Sequence, residues 1–99
     1  MKAEINETAL LQGLARKDKK AVEAIYRENY NLVQALIINN NGTAEDAKDI
    51  FQEAMIVLYE KVQGGTTELN CQIKTFVYSV SRRLWLKRLM QQNRLSISD

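Results

Sequence analysis

The sequence predicts an all-α fold, a compact domain of four helices. Its 99 residues include no proline, and three of its four glycines, Gly42, Gly64 and Gly65, separate long segments of the chain. Within those segments, apolar residues recur every three or four positions, which is the spacing of one face of a helix. No segment alternates apolar and polar residues in the way that a half-buried strand does. A chain of this length is sufficient for one small core.

Each of the first two helices follows a residue that can cap it. Asn6 precedes a helix expected over about residues 7–16, with Ile5 and Leu10 placed as a hydrophobic staple around the cap. Asp18 precedes a second helix, which we expect to continue to about residue 39. The predicted core stripe of this second helix comprises Val22, Ile25, Tyr26, Val33, Leu36 and Ile37.

The third helix follows the segment NNNG, in which Gly42 suits a left-handed turn. We expect this helix to start at Thr43 and to end near Val62. Glu45 and Asp46 fall in its first turn, where the helix dipole favours negative charge. Its predicted core stripe comprises Ala47, Ile50, Phe51, Ala54, Met55, Leu58 and Val62.

The fourth helix is expected from about Asn70 to about Asn93, after the flexible connection QGGTTELN. Its predicted core stripe comprises Ile73, Phe76, Val77, Val80 and Leu84. The helical domain then spans residues 1–94. Residues 95–99, LSISD, look like the start of a linker.

Composition excludes several classes of function. No run approaches the roughly 20 apolar residues that span a membrane, and the acidic N-terminus is unlike a signal peptide, so we expect a cytoplasmic protein. Cys71 is the single cysteine and there is no histidine. An internal disulfide, a nucleophile–histidine catalytic set and a Cys/His zinc site are therefore excluded. We expect no catalytic residue, no metal and no cofactor.

The net charge of +2 conceals a strong asymmetry. Residues 1–42 carry a net charge of +1, residues 43–68 one of −4 and residues 69–99 one of +5. Residues 73–94, IKTFVYSVSRRLWLKRLMQQNR, include six cations and no acid. An acidic and a basic section in one small chain indicate two surfaces for two different partners.

The outer face of the third helix is acidic around one apolar residue. It comprises Asp49, Gln52, Glu53, Ile56 and Glu60. A charged outer face is usually the solvated side of a helix. An apolar residue framed by polar ones, as Ile56 is here, also resembles the centre of a small protein-contact patch. The residue pattern alone leaves both interpretations open.

A second stripe lies beside the core stripe of the fourth helix. It comprises Lys74, Tyr78, Arg82, Trp85 and Leu89, flanked by Ser81 and Arg88. One interpretation is that Tyr78 and Trp85 widen the core while arginine stems cover its edge. The other is that the cations bind nucleic-acid phosphates and the rings stack on unpaired bases. A membrane surface is a competing anion, but a helix anchored by a packed core face suits it less.

Two segments, AEDAKDIFQEAMIVLYEKV and IKTFVYSVSRRLWLKRLMQQ, resemble region two of the extracytoplasmic-function sigma factors, which are bacterial initiation subunits of RNA polymerase. The usual pattern in that family is close to AEDIVQEVFLRLWEK, a short variable loop and FKTWLYRIARNLALDYLRR. The segment DKKAVEAIYRENYNLVQALI looks like the first conserved segment of the family. The resemblance covers about residues 8–94, with three segments in the family's order.

The resemblance implies a role for each of the two unusual faces. In the family, the outer face of the third helix docks on the clamp helices of the polymerase's largest subunit, and the matching positions are Asp49, Gln52, Glu53 and Ile56. The next helix and the loop before it, here QGGTTELNCQ, hold the non-template strand of the promoter −10 element. The matching DNA-binding positions are Lys74, Tyr78, Arg82, Arg83, Lys87 and Arg88, to which the second stripe adds Trp85 as a stacking ring.

The chain departs from the family pattern in two ways. Arg83 stands where the family commonly has asparagine, which leaves the base preference open, since arginine prefers guanine or phosphate. The second helical domain that reads the −35 element is absent, so we expect an isolated domain or a shortened relative. The expected partners are core RNA polymerase, promoter DNA and, as a further option, an anti-sigma factor, without membrane insertion.

Two other functions compete with this interpretation. The first is a sigma-like module that binds only a regulator of the anti-sigma type and does not touch DNA. The other, which the sequence favours least, is an enzyme built on Asp49 and Glu53. These acids lie one turn apart on an outer face, where the sequence indicates neither a pocket nor an activating partner.

Overall fold

The computed structural model of the chain describes residues 6–65 and 69–97, with side chains described as far as Gln92. Four α-helices form within these residues: α1 Glu7–Ala15, α2 Lys19–Asn39, α3 Ala44–Gln63 and α4 Ile73–Ile97. The described residues contain no strand, and the all-α prediction is confirmed. None of these helices combines the length and the apolar content needed to cross a membrane. Ile5 of the predicted staple and residues 66–68 of the predicted flexible connection lie outside the described residues.

The predicted caps of α1 and α2 are confirmed. The side chain of Asn6 accepts a hydrogen bond of 3.1 Å from the backbone N–H of Ala9. The side chain of Asp18 accepts one of 3.0 Å from the backbone N–H of Lys20. Each bond satisfies one of the N–H groups that the first turn of a helix leaves without a partner.

The starts of α3 and α4 are capped in two different ways. Thr43 and Asp46 form a reciprocal capping box, in which each side chain accepts the other residue's backbone N–H, at 3.0 and 2.9 Å. α4 instead receives its cap from α1, since the Glu7 carboxylate accepts the backbone N–H of Ile73 at 2.9 Å. A carboxylate at this position also complements the positive end of the helix dipole. The contact ties the first helix to the start of the last.

The turn between α2 and α3 corrects the prediction for Gly42. The residue in the left-handed region is Asn41, with φ of 73°, and not the glycine that follows it. Gly42 is required for a different reason, because an added Cβ would collide with the side chain of Ile37 and would also lie 2.8 Å from Cζ2 of Trp85. The turn brings the backbone against both side chains, and a residue without a side chain permits that approach.

α3 packs against the other three helices, and its predicted core stripe is buried apart from the half-buried Met55. The α2 stripe is largely confirmed, with one correction. Tyr26 is 37% exposed, although its ring stacks on Tyr30 at 5.2 Å and meets the edge of Phe51 at 4.7 Å. Tyr26 therefore borders the core and does not fill it.

α4 differs from expectation at both ends. It begins at Ile73, three residues after Asn70, and continues through Ile97, four residues past Asn93. Neither proline nor glycine, the residues that most strongly interrupt a helix, occurs after Gly65. Residues 95–97 are helical, although we expected them to begin a linker.

Candidate functional site

The inward face of α4 is wider than the predicted stripe. Its buried residues are Ile73, Val77, Val80, Ser81 and Trp85. Two other members of the predicted stripe, Phe76 and Leu84, are only half-buried. The buried face observed is therefore shifted around α4 from the predicted core stripe towards the second stripe. Ser81, which flanks the second stripe, lies in the core.

Trp85 is a core residue, which corrects the prediction that its ring is available to bases. At 3.6 residues per turn, it lies only about 80° around α4 from Val77. Its side chain is 3% exposed, and its indole N–H donates a 3.0 Å hydrogen bond to the backbone carbonyl of Asn40. The interpretation in which aromatic residues widen the core is correct for Trp85.

An open groove of about 440 Å³ runs along α4 on the side away from the core. Its residues form two neighbouring rows, each with a spacing of four, which is the arrangement of ridges on a helix surface. The first row comprises Tyr78, Arg82, Leu86 and Met90, and the second comprises Ser79, Arg83 and Lys87. We call these seven residues the basic groove. Four of them were predicted to bind DNA.

Sequence reasoning missed Ser79, Leu86 and Met90 in the basic groove. Leu86 and Met90 are 38% and 61% exposed, which is unusual for large apolar side chains. The signal was present in the sequence, since both continue the four-residue spacing that starts at Tyr78 and Arg82. Leu86 also follows Val77 by nine residues, which places it about 180° from the core side of the helix.

The cations of the basic groove have no acidic partner among the described side chains. Both ion pairs in that part of the chain are made by Arg88. Arg82, Arg83 and Lys87 therefore repel one another across exposed apolar surface. Such a surface fits a ligand that is anionic along its backbone and apolar on its faces.

Lys74 and Tyr78 lie at the end of this surface nearest the start of α4. Lys74 is exposed one turn before Tyr78 and does not line the basic groove. Tyr78 does line it but is half-buried, because it also packs against the core. Tyr78 thus offers only part of its ring to a ligand.

Arg88 has acidic partners within the fold, although residues 73–94 contain no acid. It follows Val77 by eleven residues, which places it about 20° away on the inward face. Its guanidinium lies 3.4 Å from the carboxylate of Glu53 and 3.9 Å from that of Asp46, both on α3. Arg88 consequently spans the interface between α3 and α4.

The outer side of α3 exposes each residue that was predicted to bind polymerase. Asp49, Gln52, Glu53 and Ile56 are exposed, and Ile56 is exposed to 55%. We call these four residues the acidic face. They lie within two turns of one another on one side of the helix, so a partner can contact them together.

Comparison with known proteins identifies the family. The Sigma-70 region 2 family model matches residues 25–95, which include α3 and most of α2 and α4. The chain therefore belongs to the Sigma-70 region 2 family. No curated protein and no solved structure gives a significant match. Membership places the chain among sigma-factor domains, which are non-enzymatic factors of transcription initiation that work with RNA polymerase and promoter DNA.

Proposed function

We propose that the chain is the region 2 domain of an extracytoplasmic-function sigma factor, acting in the bacterial cytoplasm through two docking surfaces. The acidic face binds the clamp helices of the largest subunit of core RNA polymerase. The basic groove, together with Lys74 and the loop before α4, holds the non-template strand of the promoter −10 element. The domain acts by binding, and none of its side chains serves as a catalyst.

The single observation that carries this proposal is the composition of the basic groove. Arg82, Arg83 and Lys87 lie together without an acidic partner among the described side chains. Phosphates relieve their mutual repulsion, and binding gains free energy because condensed counterions leave the nucleic acid. Every residue of the basic groove lies on α4.

The apolar surface in the same groove favours a single strand over a duplex. Unpaired bases expose flat faces, and contact with an aromatic ring is worth about 1–3 kcal/mol per base. Tyr78, Leu86 and Met90 supply aromatic and apolar surface beside the cations. These contacts offset the few kcal/mol that are needed to take a base out of the stack. The groove thus stabilises DNA that has already opened.

Arg83 bears on which base the groove prefers. The family commonly has an asparagine at this position, and an asparagine amide can read a base edge through paired hydrogen bonds. Arginine instead favours guanine or a phosphate. We propose that Arg83 contacts the strand backbone or a guanine, which gives this chain a −10 preference different from the family's usual one.

The acidic face is suited to a basic partner. Glu53 and Asp49 lie one and two turns before the exposed Ile56 on the same side of α3, so an apolar side chain is exposed beside two acids. Complementary charge raises the rate of association and fixes orientation, while the apolar centre adds buried area. Clamp helices with a basic surface fit this arrangement.

Fluorescence anisotropy tests the proposal directly. A labelled single strand of −10-type sequence and the duplex of the same sequence are titrated with the chain, with and without core RNA polymerase. We expect tighter binding of the single strand, and roughly tenfold weaker binding by Arg82→Ala/Arg83→Ala. Lys19→Ala/Lys20→Ala removes the same charge from the exposed start of α2 and serves as the control. Equal losses in the two double variants would contradict a specific role for the groove.

A second function, binding of a protein regulator alone, is favoured by other exposed apolar side chains. Leu32 and Ile38 on α2 are 37% and 48% exposed, in addition to Ile56 on α3. This function predicts that the chain binds a regulator and gives no anisotropy change with the single strand, whether or not polymerase is present. The titration with polymerase present separates the two functions.

A further inference from the structure

The turn between α2 and α3 contains an asparagine followed by a glycine, Asn41 and Gly42. Asn41 is exposed, and neither docking surface includes it or Gly42. Asparagine is thermolabile, because the next backbone nitrogen can attack its side-chain amide. Glycine shields that nitrogen least, since it has no Cβ. Asn41 is the only asparagine in the sequence that precedes a glycine.

Two separate demands of the fold place these residues side by side. Asn41 has a φ of 73°, a left-handed conformation that asparagine adopts more readily than most residues. Its N–H donates to the carbonyl of Ile38 at 3.3 Å, and the N–H of Gly42 donates to that of Ile37 at 2.8 Å. This pattern is a Schellman motif, which ends α2. Gly42 has no room for a side chain beside Ile37 and Trp85.

The same turn keeps the attacking nitrogen occupied. The N–H of Gly42 must lose its proton and turn towards Cγ of Asn41 before it can react. In the folded chain this N–H is bonded to the carbonyl of Ile37. The carbonyl of Asn40, one residue before Asn41, is held by the indole N–H of Trp85 at 3.0 Å. Attack therefore requires the turn to open locally, which costs free energy.

We propose that Asn41 is a deamidation site that the folded turn restrains, and that its conversion releases Trp85 from the turn. Hydroxide removes the proton of the Gly42 N–H, the nitrogen forms a bond to Cγ of Asn41, and ammonia leaves, which closes a succinimide ring. Water then adds to either carbonyl carbon of the ring and breaks its bond to nitrogen. The product is aspartate or isoaspartate, and neither step oxidises or reduces the chain.

The products differ from asparagine in charge and, for isoaspartate, in backbone length. Both add a negative charge, and isoaspartate routes the backbone through an extra carbon. The longer turn displaces Gly42 from Ile37 and Trp85, and the carbonyl of Asn40 from the indole N–H. Trp85 then loses a hydrogen bond and its packing on one side. Conversion thus acts on α4, the helix that carries the basic groove.

The first test follows conversion by peptide mass spectrometry after the whole chain is incubated in mildly alkaline buffer, with and without denaturing urea. In urea we expect faster conversion at Asn41 than at Asn39 or Asn40, which precede asparagines. Without urea, conversion at Asn41 should be at least about tenfold slower, which corresponds to an opening free energy of about 1.4 kcal/mol. Equal rates at the three asparagines in urea would overturn the site, and equal rates with and without urea would overturn the restraint.

The second test asks whether Trp85 keeps the turn closed. Trp85→Phe removes the bond to Asn40 and should raise the rate of conversion in the folded chain. Val62→Ala shortens a buried side chain about 27 Å along α3 from its first residue and serves as the control. The two variants are compared at urea concentrations that give them equal free energies of unfolding. We expect Trp85→Phe to convert several times faster, and equal rates would overturn the role of Trp85.

The third test uses Trp85 as a reporter, since it is the single tryptophan of the chain. Its emission should shift to longer wavelength with the same time course as the conversion, because a buried indole becomes exposed to water. Asn41→Gly is the control, since glycine adopts the left-handed conformation and has no amide to lose. The emission of this variant should stay constant. Constant emission in the unsubstituted chain while Asn41 converts would overturn the release of Trp85.

Discussion

The indole N–H of Trp85 donates a 3.0 Å hydrogen bond to the backbone carbonyl of Asn40, which joins the middle of α4 to the end of α2. Asn40 is the C-cap of α2, so its carbonyl has no acceptor role within that helix. The bond fixes the rotation of α4 about its own axis. It thereby determines which side of α4, the side with the basic groove, faces solvent.

Trp85→Phe tests this bond. The variant keeps an aromatic ring but removes the donor, so the carbonyl of Asn40 loses its partner and the smaller ring leaves a gap. We expect the free energy of unfolding to fall by about 1–3 kcal/mol, measured by urea unfolding with circular dichroism. Strand affinity per folded molecule should not change. Unchanged stability combined with weaker strand binding would show that the indole contacts DNA.

Gly42→Ala tests the close approach between the α2–α3 turn and the same ring. The added Cβ would collide with the side chain of Ile37 and would lie 2.8 Å from Cζ2 of Trp85, so the turn or these two side chains must shift. We expect a loss of about 1–3 kcal/mol in the free energy of unfolding, as for other overpacked sites. Gly64→Ala is the control, since its added Cβ would meet no atom closer than 3.5 Å. Equal melting temperatures for the two variants would contradict the steric argument.

Local signals in the sequence predicted the helices well. Asn6 and Asp18 act as the predicted caps, because a cap depends on residues only two or three positions away. Thr43, where we expected α3 to start, is its N-cap. Periodicity likewise identified the buried side of α3, where a single apolar stripe is present. Gly42 was misassigned because its role depends on close packing against the side chains of Ile37 and Trp85, and turn preferences do not encode such contacts.

The rotation of α4 could not be predicted in the same way. Its two stripes overlap, and Leu84 and Trp85 are adjacent residues that both carry large apolar side chains. Periodicity cannot decide which of them faces inward, since that depends on the carbonyl of Asn40 at the end of another helix. The partner of Arg88 was missed for a similar reason. Glu53 lies 35 residues away, and only the packing of α4 on α3 brings the two together.

The capping box predicts how stability depends on pH. The pKa of the Asp46 carboxyl lies below its ordinary value of 3.8, mainly because it accepts the backbone N–H of Thr43, with further lowering by the Thr43 side chain and by Arg88. A pKa lowered by folding stabilises the folded state above 3.8, and this contribution disappears as the pH falls through the lowered value. Asp46→Asn should therefore be less stable than the unsubstituted chain at neutral pH, and the difference should shrink in acid.

Thermal unfolding between neutral and acidic pH measures this difference. Thr43→Ala removes the other half of the box and should cost about 1 kcal/mol at neutral pH. The melting temperatures of Asp46→Asn and of the unsubstituted chain should converge as the pH falls. A constant difference between them would contradict the assigned cause of the pKa shift.

Asp49→Lys tests the acidic face. Asp49 is exposed and forms no ion pair among the described side chains, so its reversal should change the free energy of unfolding by no more than about 0.5 kcal/mol. Affinity for core RNA polymerase should fall, because a lysine repels a basic partner. Glu28→Lys reverses an exposed charge on α2 and serves as the control. Unchanged docking by Asp49→Lys would remove Asp49 from the polymerase interface.

Reversal at Glu53 is a less clean test than reversal at Asp49. A lysine there would replace the partner of Arg88 by a like charge at short range. Its effect on polymerase affinity would then combine a lost docking contact with a disturbed interface between α3 and α4. The comparison of Asp49→Lys with Glu28→Lys avoids that mixture.

The salt dependence of strand binding tests the basic groove one cation at a time. For a single strand, each phosphate contact contributes about 0.7 to the slope of log affinity against log salt concentration. Arg82→Ala and Lys87→Ala should each lower the magnitude of that slope by about this amount, and each should weaken binding for every strand sequence. Lys19→Ala removes a cation of equal charge at the start of α2, away from the groove, and should leave the slope unchanged. Slopes for Arg82→Ala and Lys87→Ala that equal the slope for Lys19→Ala would remove both residues from the strand interface, because counterion release counts contacts and does not depend on net charge alone.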